Sequence, residues 1–380
     1  MVNFPPDRER LQALPGKLGL DAVVAMDPEN FAYAAGVFII TVSLVRPRQA
    51  FAIIPANGKP ALVICSIEKR LTEKESWIPD IRTYVEFAES PIDAFCAALK
   101  DLGLSEGRIG LDLDYLPLTS AERLKTNLPK LTLVNTTEEI AKIRAIKTPE
   151  QIAFMEKTTK QTHRAAIDAM AMSRLGETER DIANRIASGI VTNGADGTRF
   201  VCFSSGHRTA QAHAHATERV PQESEIIRFD IGGSYGAWSS DFARTYSTGN
   251  PSKLQRETYG KLWDIQSATI NMVKPGVIAE DVFYFAREQY QKHGLPQHQA
   301  LVGHSFGIEI HETPVLRPGE KTPLKAGMVI NIEPSVYDEE RSCYHLEDLL
   351  VVTDAGPRIL TLGLPPKEIP VLGQTLNYPR

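Results

Sequence analysis

The chain lacks the features of disulfide-stabilised and membrane-spanning proteins. Its 380 residues include four cysteines, at positions 65, 96, 202 and 343, and no two of them form a CxxC pair. This spacing argues against a cysteine zinc site and is typical of a reducing compartment. The longest apolar segment, AYAAGVFIITVSLV, is shorter than the ~20 residues that a transmembrane helix needs. We therefore interpret that segment as part of a buried core.

Targeting and charge features are also few. The first ten residues, MVNFPPDRER, lack a basic start followed by an apolar run, so we expect no signal peptide and a cytoplasmic location. The formal net charge of -5 gives no reason to expect nucleic acid or an anionic membrane as a partner. A chain of 380 residues exceeds the ~250–300 residues at which single cores stop growing, and this predicts two domains.

Residues 1–138 alternate helix and strand patterns, which predicts a small α/β domain. QAFAIIPA and KPALVICS flank Asn57-Gly58, a sequence that favours a β-hairpin. No group of residues in this segment suggests a catalytic or metal site. Residues 139–380 form the second predicted domain. Its first long helix is expected to begin at Pro149, because Thr148 before it and Gln151 three residues on form a capping box.

The second domain contains two predicted pairs of strands. The first pair is EIIRFDIGG with AWSSDFARTYS, and the second is GMVINIEPSVY with CYHLEDLLVVT. Two amphipathic helical segments lie between the pairs, and two helices precede the first pair. This pattern predicts an α+β domain with pseudo-twofold symmetry and a site between its halves.

Five residues that can bind metal ions lie in or beside these strands. They are Asp230, Asp241, His304, Glu333 and Glu347. An acid inside an apolar strand is costly to bury unless something neutralises it. Two carboxylates brought together across a glycine-rich turn would also repel each other. A pair of divalent metal ions removes both penalties, and carboxylates with one imidazole suit Mn²⁺, Fe²⁺, Co²⁺ or Zn²⁺.

Further histidines are candidates for proton transfer or hydrogen bonding. The segment SSGHRTAQAHAHAT places His207, His213 and His215 in a loop rich in small residues, and His311 follows His304 by seven residues. Histidine is suited to proton transfer near neutral pH, so one of the three loop histidines is a candidate catalytic residue. The residues alone do not say which.

Taken together, these segments resemble the pita-bread metallopeptidases. Within them the chain is most similar to the aminopeptidase P/prolidase branch, whose members carry a creatinase-like amino-terminal domain. The resemblance covers nearly the whole chain. It rests on the order and spacing of Asp230-Ile-Gly, Asp241-Phe-Ala-Arg-Thr, Gly303-His304, His311-Glu312-Thr-Pro, Glu333-Pro334 and Glu347-Asp348.

The resemblance implies a metal-binding role for each of the five ligands. Asp230 would bind one ion, and His304 and Glu333 would bind the other. Asp241 and Glu347 would bridge the two. Mn²⁺ is the first choice of metal, with Co²⁺, Zn²⁺ or Fe²⁺ as alternatives.

The resemblance also implies catalytic residues and a substrate. His213 and His311 would hydrogen-bond the scissile carbonyl oxygen and the tetrahedral intermediate. Glu333 would carry the proton from water to the leaving nitrogen. The implied reaction is hydrolysis of the bond before proline in dipeptides or at peptide amino termini, and the implied assembly is a homodimer.

Departures from the family pattern leave other functions open. His345 stands where the branch often has arginine, and Ala243 stands where threonine or serine is usual. Because His345 lies two residues before Glu347 on a strand, we expect it to face the metals and line the substrate pocket. One alternative is a metal-dependent hydrolase or lyase of a small non-peptide compound on the same fold. Another is a non-enzymatic metal-binding module, against which the intact ligand set argues.

Overall fold

A computed structural model describes residues 6–378 of the chain. By its internal packing the chain divides into two units, Met1–Arg144 and Ala145–Arg380. Each unit has its own sheet structure and its own apolar core. No helix within residues 6–378 combines the length and apolar character that a membrane crossing requires.

The amino-terminal unit is built on one six-stranded mixed sheet with the strand order β4-β3-β2-β1-β5-β6. Its elements are α1 (Arg8–Leu18), β1 (Ala22–Ala25), α2 (Pro28–Ala35), α3 (Ile40–Leu44), β2 (Phe51–Pro55), β3 (Ala61–Cys65), α4 (Lys69–Glu75), β4 (Asp80–Tyr84), α5 (Pro91–Asp101), β5 (Arg108–Leu111), α6 (Leu118–Asn127), β6 (Thr132–Asn135) and α7 (Thr137–Ala145).

Local sequence features explain several of these elements. The hairpin predicted around Asn57-Gly58 is confirmed, because β2 and β3 pair antiparallel with Ile53 opposite Ala61. The ring of Phe51 on β2 stacks on Phe95 of α5 with centroids 4.3 Å apart, which packs that helix on the sheet. This α/β unit agrees with the predicted creatinase-like fold class.

The carboxyl-terminal unit repeats one arrangement, in which two helices are followed by an antiparallel sheet. Its elements are α8 (Pro149–Met172), α9 (Glu179–Thr192), β7 (Gly197–Ser205), β8 (Ile226–Tyr235), β9 (Trp238–Ser239), β10 (Phe242–Ser247), α10 (Lys253–Met272), α11 (Ala279–Lys292), β11 (His304–Ser305), β12 (Glu312–Val315), β13 (Val329–Ile332), β14 (Ser335–Tyr337), β15 (Cys343–His345), β16 (Asp348–Thr353) and β17 (Gly356–Ile359). The sheets have the orders β10-β8-β7, with β9 on β8, and β12-β11-β13-β16-β17, and β14 pairs with β15.

Capping boxes fix the starts of three helices in this unit. The predicted start of α8 at Pro149 is confirmed. The side chain of Thr148 accepts from the backbone N–H of Gln151, and the Gln151 side chain accepts from the backbone N–H of Thr148. Thr178 before α9 and Ser252 before α10 form the same reciprocal pair. Each box satisfies backbone donors that the first turn of a helix leaves without a partner.

The second predicted strand pair is interrupted at its two acids. It forms two ladders, β13 with β16 and β14 with β15, and the breaks fall at Glu333-Pro334 and at Leu346-Glu347. Proline has no N–H to donate, so the regular ladder cannot continue through Pro334. Both glutamates therefore lie where the backbone leaves the sheet, and their side chains are not constrained to a regular strand face.

Candidate metal centre

Asp230 and Asp241 meet across the turn between β8 and β10. We expected the two side by side, but the strand register places Ala243 opposite Asp230, and Asp241 precedes β10. Asp241 therefore approaches Asp230 diagonally, and the two carboxyl groups hydrogen-bond each other. The two backbones approach closely, because a Cβ at Gly232 on β8 would lie 2.4 Å from the carbonyl oxygen of Ser240. Glycine at that position allows the chain to bring the two acids together.

His304 is held so that the lone pair of one ring nitrogen, Nε2, faces the carboxylate group, where Nδ2 of Asn331 lies 3.0 Å from it. Its Nδ1 lies 3.0 Å from the carbonyl oxygen of Ser305. A carbonyl only accepts, so Nδ1 carries the proton and Nε2 carries the lone pair. Burial lowers the pKa of His304 to about 3, which keeps the ring in the neutral form that binds metals. Its backbone N–H donates to Oδ1 of Asn331 over 2.8 Å, which fixes the start of β11.

Glu333 and Glu347 are fixed through their backbones to neighbouring segments. The N–H of Glu333 donates to the carbonyl of Val302 over 3.0 Å, and the N–H of Glu347 donates to that of Ala243 over 3.1 Å. The Glu347 side chain accepts from Nδ2 of Asn331. The Oε1 atom of Glu333 lies 3.4 Å from Nε2 of His304.

The five predicted ligands thus form one contiguous group. Ligand atoms of Asp241, His304 and Glu347 lie within 4.8 Å of one another. Glu333 joins this group through His304, and Asp230 joins it through Asp241. Asn331, whose amide contacts both His304 and Glu347, is a supporting residue that the sequence analysis missed. An asparagine inside the apolar run MVINI was the available indication.

The electrostatics of this group call for a cation. Burial, acting with neighbouring carboxylates, raises the pKa of Asp241 and Glu347, and it raises the pKa of Glu333 to about 8. Burial also raises the pKa of Asp230. Among residues 6–378, no hydrogen-bond partner is found for the buried Oδ1 of Asp241 or Oε1 of Glu333. Buried carboxylate oxygens without donors fit a site for divalent metal ions, which prefer oxygen ligands with an imidazole.

Two exposed histidines border the carboxylates. The ring of His311 stacks on His304 with centroids 3.9 Å apart. His213 is exposed, and its electrostatic effect reaches both His311 and Asp230. Burial is the larger cause of the lowered pKa of His311. His207 and His215 are exposed in the same loop as His213.

The loop that carries His213 is anchored by Glu179, which the sequence analysis missed. This fully buried carboxylate accepts from the backbone N–H and the hydroxyl of Ser205, which precedes the loop. It also accepts from Arg208 and from the N–H and hydroxyl of Thr217, which follows His213. An acid in the first turn of a helix is already explained by the helix dipole, so nothing in the local pattern around Glu179 indicated this role.

The segment before His311 is anchored by a buried ion pair. Nζ of Lys147 lies 2.8 Å from Oε2 of Glu312, and the two side chains are 0% and 1% exposed. The other oxygen of Glu312 accepts from the backbone N–H of Ile308 over 3.1 Å. The contacts of Glu312 with Lys147 and Ile308 therefore hold the segment that contains His311 in place.

His345 packs against the carboxylates, next to an arginine that the sequence analysis did not consider. Its Nε2 lies 3.7 Å from Oε2 of Glu333, and its Nδ1 lies 3.9 Å from Oδ2 of Asp230. Nη2 of Arg228 lies 3.0 Å from the same Nδ1. Arg228 precedes Asp230 by two residues on β8 and so shares its face, a relation that the sequence could have indicated.

A second buried ion pair joins the two sheets behind the site. Arg244 on β10 donates to Oδ1 of Asp348 on β16 over 2.6 Å, and it also donates to the carbonyls of Ala243 and Glu347. The pKa of Arg244 is raised, with Asp348 as the main favourable contribution against the effect of burial. This pair keeps the strands that carry Asp241 and Glu347 together.

Comparisons with known proteins match both units. The model of metallopeptidase family M24 matches residues 153–354, and that of the Creatinase/Prolidase N-terminal domain matches residues 8–146. An Xaa-Pro dipeptidase from Pyrococcus furiosus is 28% identical over 93% of this chain and 97% of its own length. A recombinant prolidase from Thermococcus sibiricus has a TM-score of 0.86 and 26% identity, covering 97% of this chain and all of its own. Dipeptidase PepE from Mycobacterium ulcerans has a TM-score of 0.83 and 28% identity over 97% of this chain.

The Lys147–Glu312 pair generates a prediction about stability. Lys147→Met leaves a buried carboxylate without its cation, which we expect to destabilise the protein by ~3–5 kcal/mol. The free energy of unfolding from urea denaturation measures the effect. The double variant Lys147→Met/Glu312→Leu is the matched control and should be destabilised less, because the buried charge is gone. A single variant as stable as the wild type would contradict the assigned role of the pair.

Proposed function

The chain belongs to metallopeptidase family M24, and from that premise we propose that it is an Xaa-Pro dipeptidase that uses two divalent metal ions. Proteins named Xaa-Pro dipeptidase from Pyrococcus furiosus, Pyrococcus horikoshii and Lactobacillus helveticus match it over 90% or more of its length. The observation that carries the proposal is the group of four buried or partly buried carboxylates around His304, in which Oδ1 of Asp241 and Oε1 of Glu333 find no donor among residues 6–378. The proposal includes longer peptides as substrates, cleaved before a proline that is the second residue from the amino terminus.

We assign the ligands as the family resemblance implies. Asp241 and Glu347 would bridge the two ions, and ligand atoms of both lie within 4.8 Å of a ring nitrogen of His304. His304 and Glu333 would complete one site, and Asp230 would complete the other. The contact between Asp230 and Asp241 and the contact of 3.4 Å between His304 and Glu333 support this division.

The chemistry then follows from the placement of the side chains. Bound divalent ions would polarise the scissile carbonyl and lower the pKa of water. Glu333 is partly exposed, so its carboxylate can accept the proton of the attacking water and deliver it to the leaving nitrogen. His213 and His311 lie at the exposed edge, where an N–H of each can donate to the carbonyl oxygen as negative charge develops on it.

We further propose Mn²⁺ as the working metal, because the ligand set has four carboxylates and one imidazole; Co²⁺, Zn²⁺ and Fe²⁺ are the alternatives. Four free cysteines support a reducing cytoplasm as the location. We also propose a homodimer, on the resemblance alone.

Metal dependence provides the first test of this function. Chelation should abolish hydrolysis of Xaa-Pro dipeptides, and Mn²⁺ or Co²⁺ should restore it. The assay compares Xaa-Pro dipeptides, longer Xaa-Pro peptides and matched Xaa-Ala dipeptides. Full activity in protein that elemental analysis shows to be metal-free would refute the mechanism, and equal rates on Xaa-Pro and Xaa-Ala would refute the substrate.

Replacing a bridging ligand tests the ligand assignment. Asp241→Asn should abolish activity and reduce the bound metal below two ions per chain, because an amide does not bridge two cations as a carboxylate does. The exposed Asp354 provides the matched control, and Asp354→Asn should leave both quantities unchanged. Near-normal turnover and metal content in Asp241→Asn would show that the assignment is wrong.

The histidine roles are tested in the same way. His311→Ala and His213→Ala should each lower kcat by ~10²–10³, the usual effect of removing one donor to a developing oxyanion, with metal content unchanged. His215→Ala is the control from the same exposed loop. A loss of bound metal in His311→Ala would instead identify His311 as a ligand.

A further inference from the structure

We propose that Arg228 is a positioning residue that fixes His345 in one tautomer, so that His345 directs an N–H at Glu333 and does not bind metal. The inference rests on the proposed function, because it concerns the orientation of the carboxylate assigned to proton transfer. It addresses an ambiguity in the site, since ligand atoms of His345, Glu333 and Glu347 also lie within 4.8 Å of one another. By position alone, His345 is a candidate sixth ligand.

The contacts of Arg228 give the first step. The residue is 6% exposed on β8. Its Nη2 lies 3.0 Å from Nδ1 of His345, and its Nη1 lies 3.5 Å from the carbonyl oxygen of Thr209. In the part of the chain that the structure describes, its guanidinium hydrogen-bonds these two groups and Cys343, and its charge opposes the rise that burial causes in the pKa of Asp230 and Glu333. The contact between the buried guanidinium of Arg228 and the imidazole of His345 therefore requires a chemical explanation.

The chemistry of the two groups gives the second step. A guanidinium has donors and no acceptor, so Nδ1 of His345 must be the acceptor. A neutral imidazole that accepts at Nδ1 carries its proton on Nε2. Nε2 therefore faces Oε2 of Glu333, 3.7 Å away, as an N–H group. A protonated ring nitrogen has no lone pair to offer a metal ion.

The backbone of His345 fixes the direction of the ring. Its N–H donates to the hydroxyl of Thr245 over 2.8 Å, and its carbonyl accepts from the same hydroxyl over 2.9 Å. Nε2 is buried, and within residues 6–378 it has no hydrogen-bond partner at this separation. Contacts between catalytic groups are often long before substrate binds and shorten in the reacting complex. A small movement of Glu333 would complete the hydrogen bond.

The test uses three variants of the full chain and one control. Arg228→Met removes the donor at similar length. His345→Gln has no tautomers but can donate from a similar position. The third variant combines both changes. The control, Arg228→Lys, keeps a donor-only cation and should keep the wild-type tautomer and kcat. If Arg228→Met does not fold, the two readouts on the wild type and His345→Gln still decide the proposal.

Two readouts do not depend on activity. Nitrogen-15 spectra of ring-labelled histidine, with His345 assigned by its loss in His345→Gln, should show Nε2 protonated in metal-free and in Zn²⁺-loaded wild-type protein. Elemental analysis should find two ions per chain in His345→Gln, as in the wild type. A proton on Nδ1, or the loss of one ion in His345→Gln, would overturn the proposal. Both readouts hold if the protein does not hydrolyse Xaa-Pro peptides, so the two proposals fail separately.

Kinetics supply the third readout. Arg228→Met should lower kcat by about tenfold to a hundredfold with little change in KM, as expected when a catalytic carboxylate is misplaced. The double variant should be no slower than His345→Gln, because Arg228 acts through the tautomer of His345. Effects that multiply in the double variant would show that Arg228 acts independently, and would overturn the proposal.

Discussion

The structure depends on bringing four carboxylates and one imidazole together out of water. Burial raises the pKa values of Asp230, Asp241, Glu333 and Glu347, so without a cation the charged forms are strongly disfavoured. Interruptions of the regular strands coincide with the positions of several of these side chains. Glu333 and Glu347 lie at interruptions of a strand pair, and Asp241 follows Ser240, whose carbonyl oxygen approaches β8 closely enough to require glycine at position 232. Bound divalent ions would supply the positive charge that offsets these four carboxylates.

A comparison with other buried acids in the same unit supports this interpretation. Asp348 is paired with Arg244, Glu312 with Lys147, and Glu179 with Arg208 and backbone donors. Each of these pairs holds a segment that carries a site residue. The acids of the central group differ, because Asp241 and Glu333 keep oxygens for which residues 6–378 offer no donor. Protein cations therefore neutralise the supporting acids, and we propose that divalent metal ions neutralise the central ones.

Features that depend on neighbouring residues could be predicted from the sequence. The capping box at Thr148 and the hairpin at Asn57-Gly58 are local, and the order of the metal-binding motifs was sufficient to indicate the family. Features that depend on contacts between residues far apart in the chain could not be predicted from the sequence. Glu179 looked like an ordinary first-turn acid, and the contact between Arg228 and His345 joins residues 117 positions apart. The diagonal approach of Asp241 to Asp230 follows from a strand register that the glycine-rich turn alone does not fix.

The most direct test of the account is the position of the metals. Anomalous diffraction from crystals of the Mn²⁺-loaded protein should show two peaks roughly 3.5–4 Å apart, the spacing of catalytic metal pairs. Asp241 and Glu347 should lie between the peaks, with His304 and Glu333 at one and Asp230 at the other. A single peak, or a second peak away from Asp230, would contradict the two-metal site and the mechanism built on it.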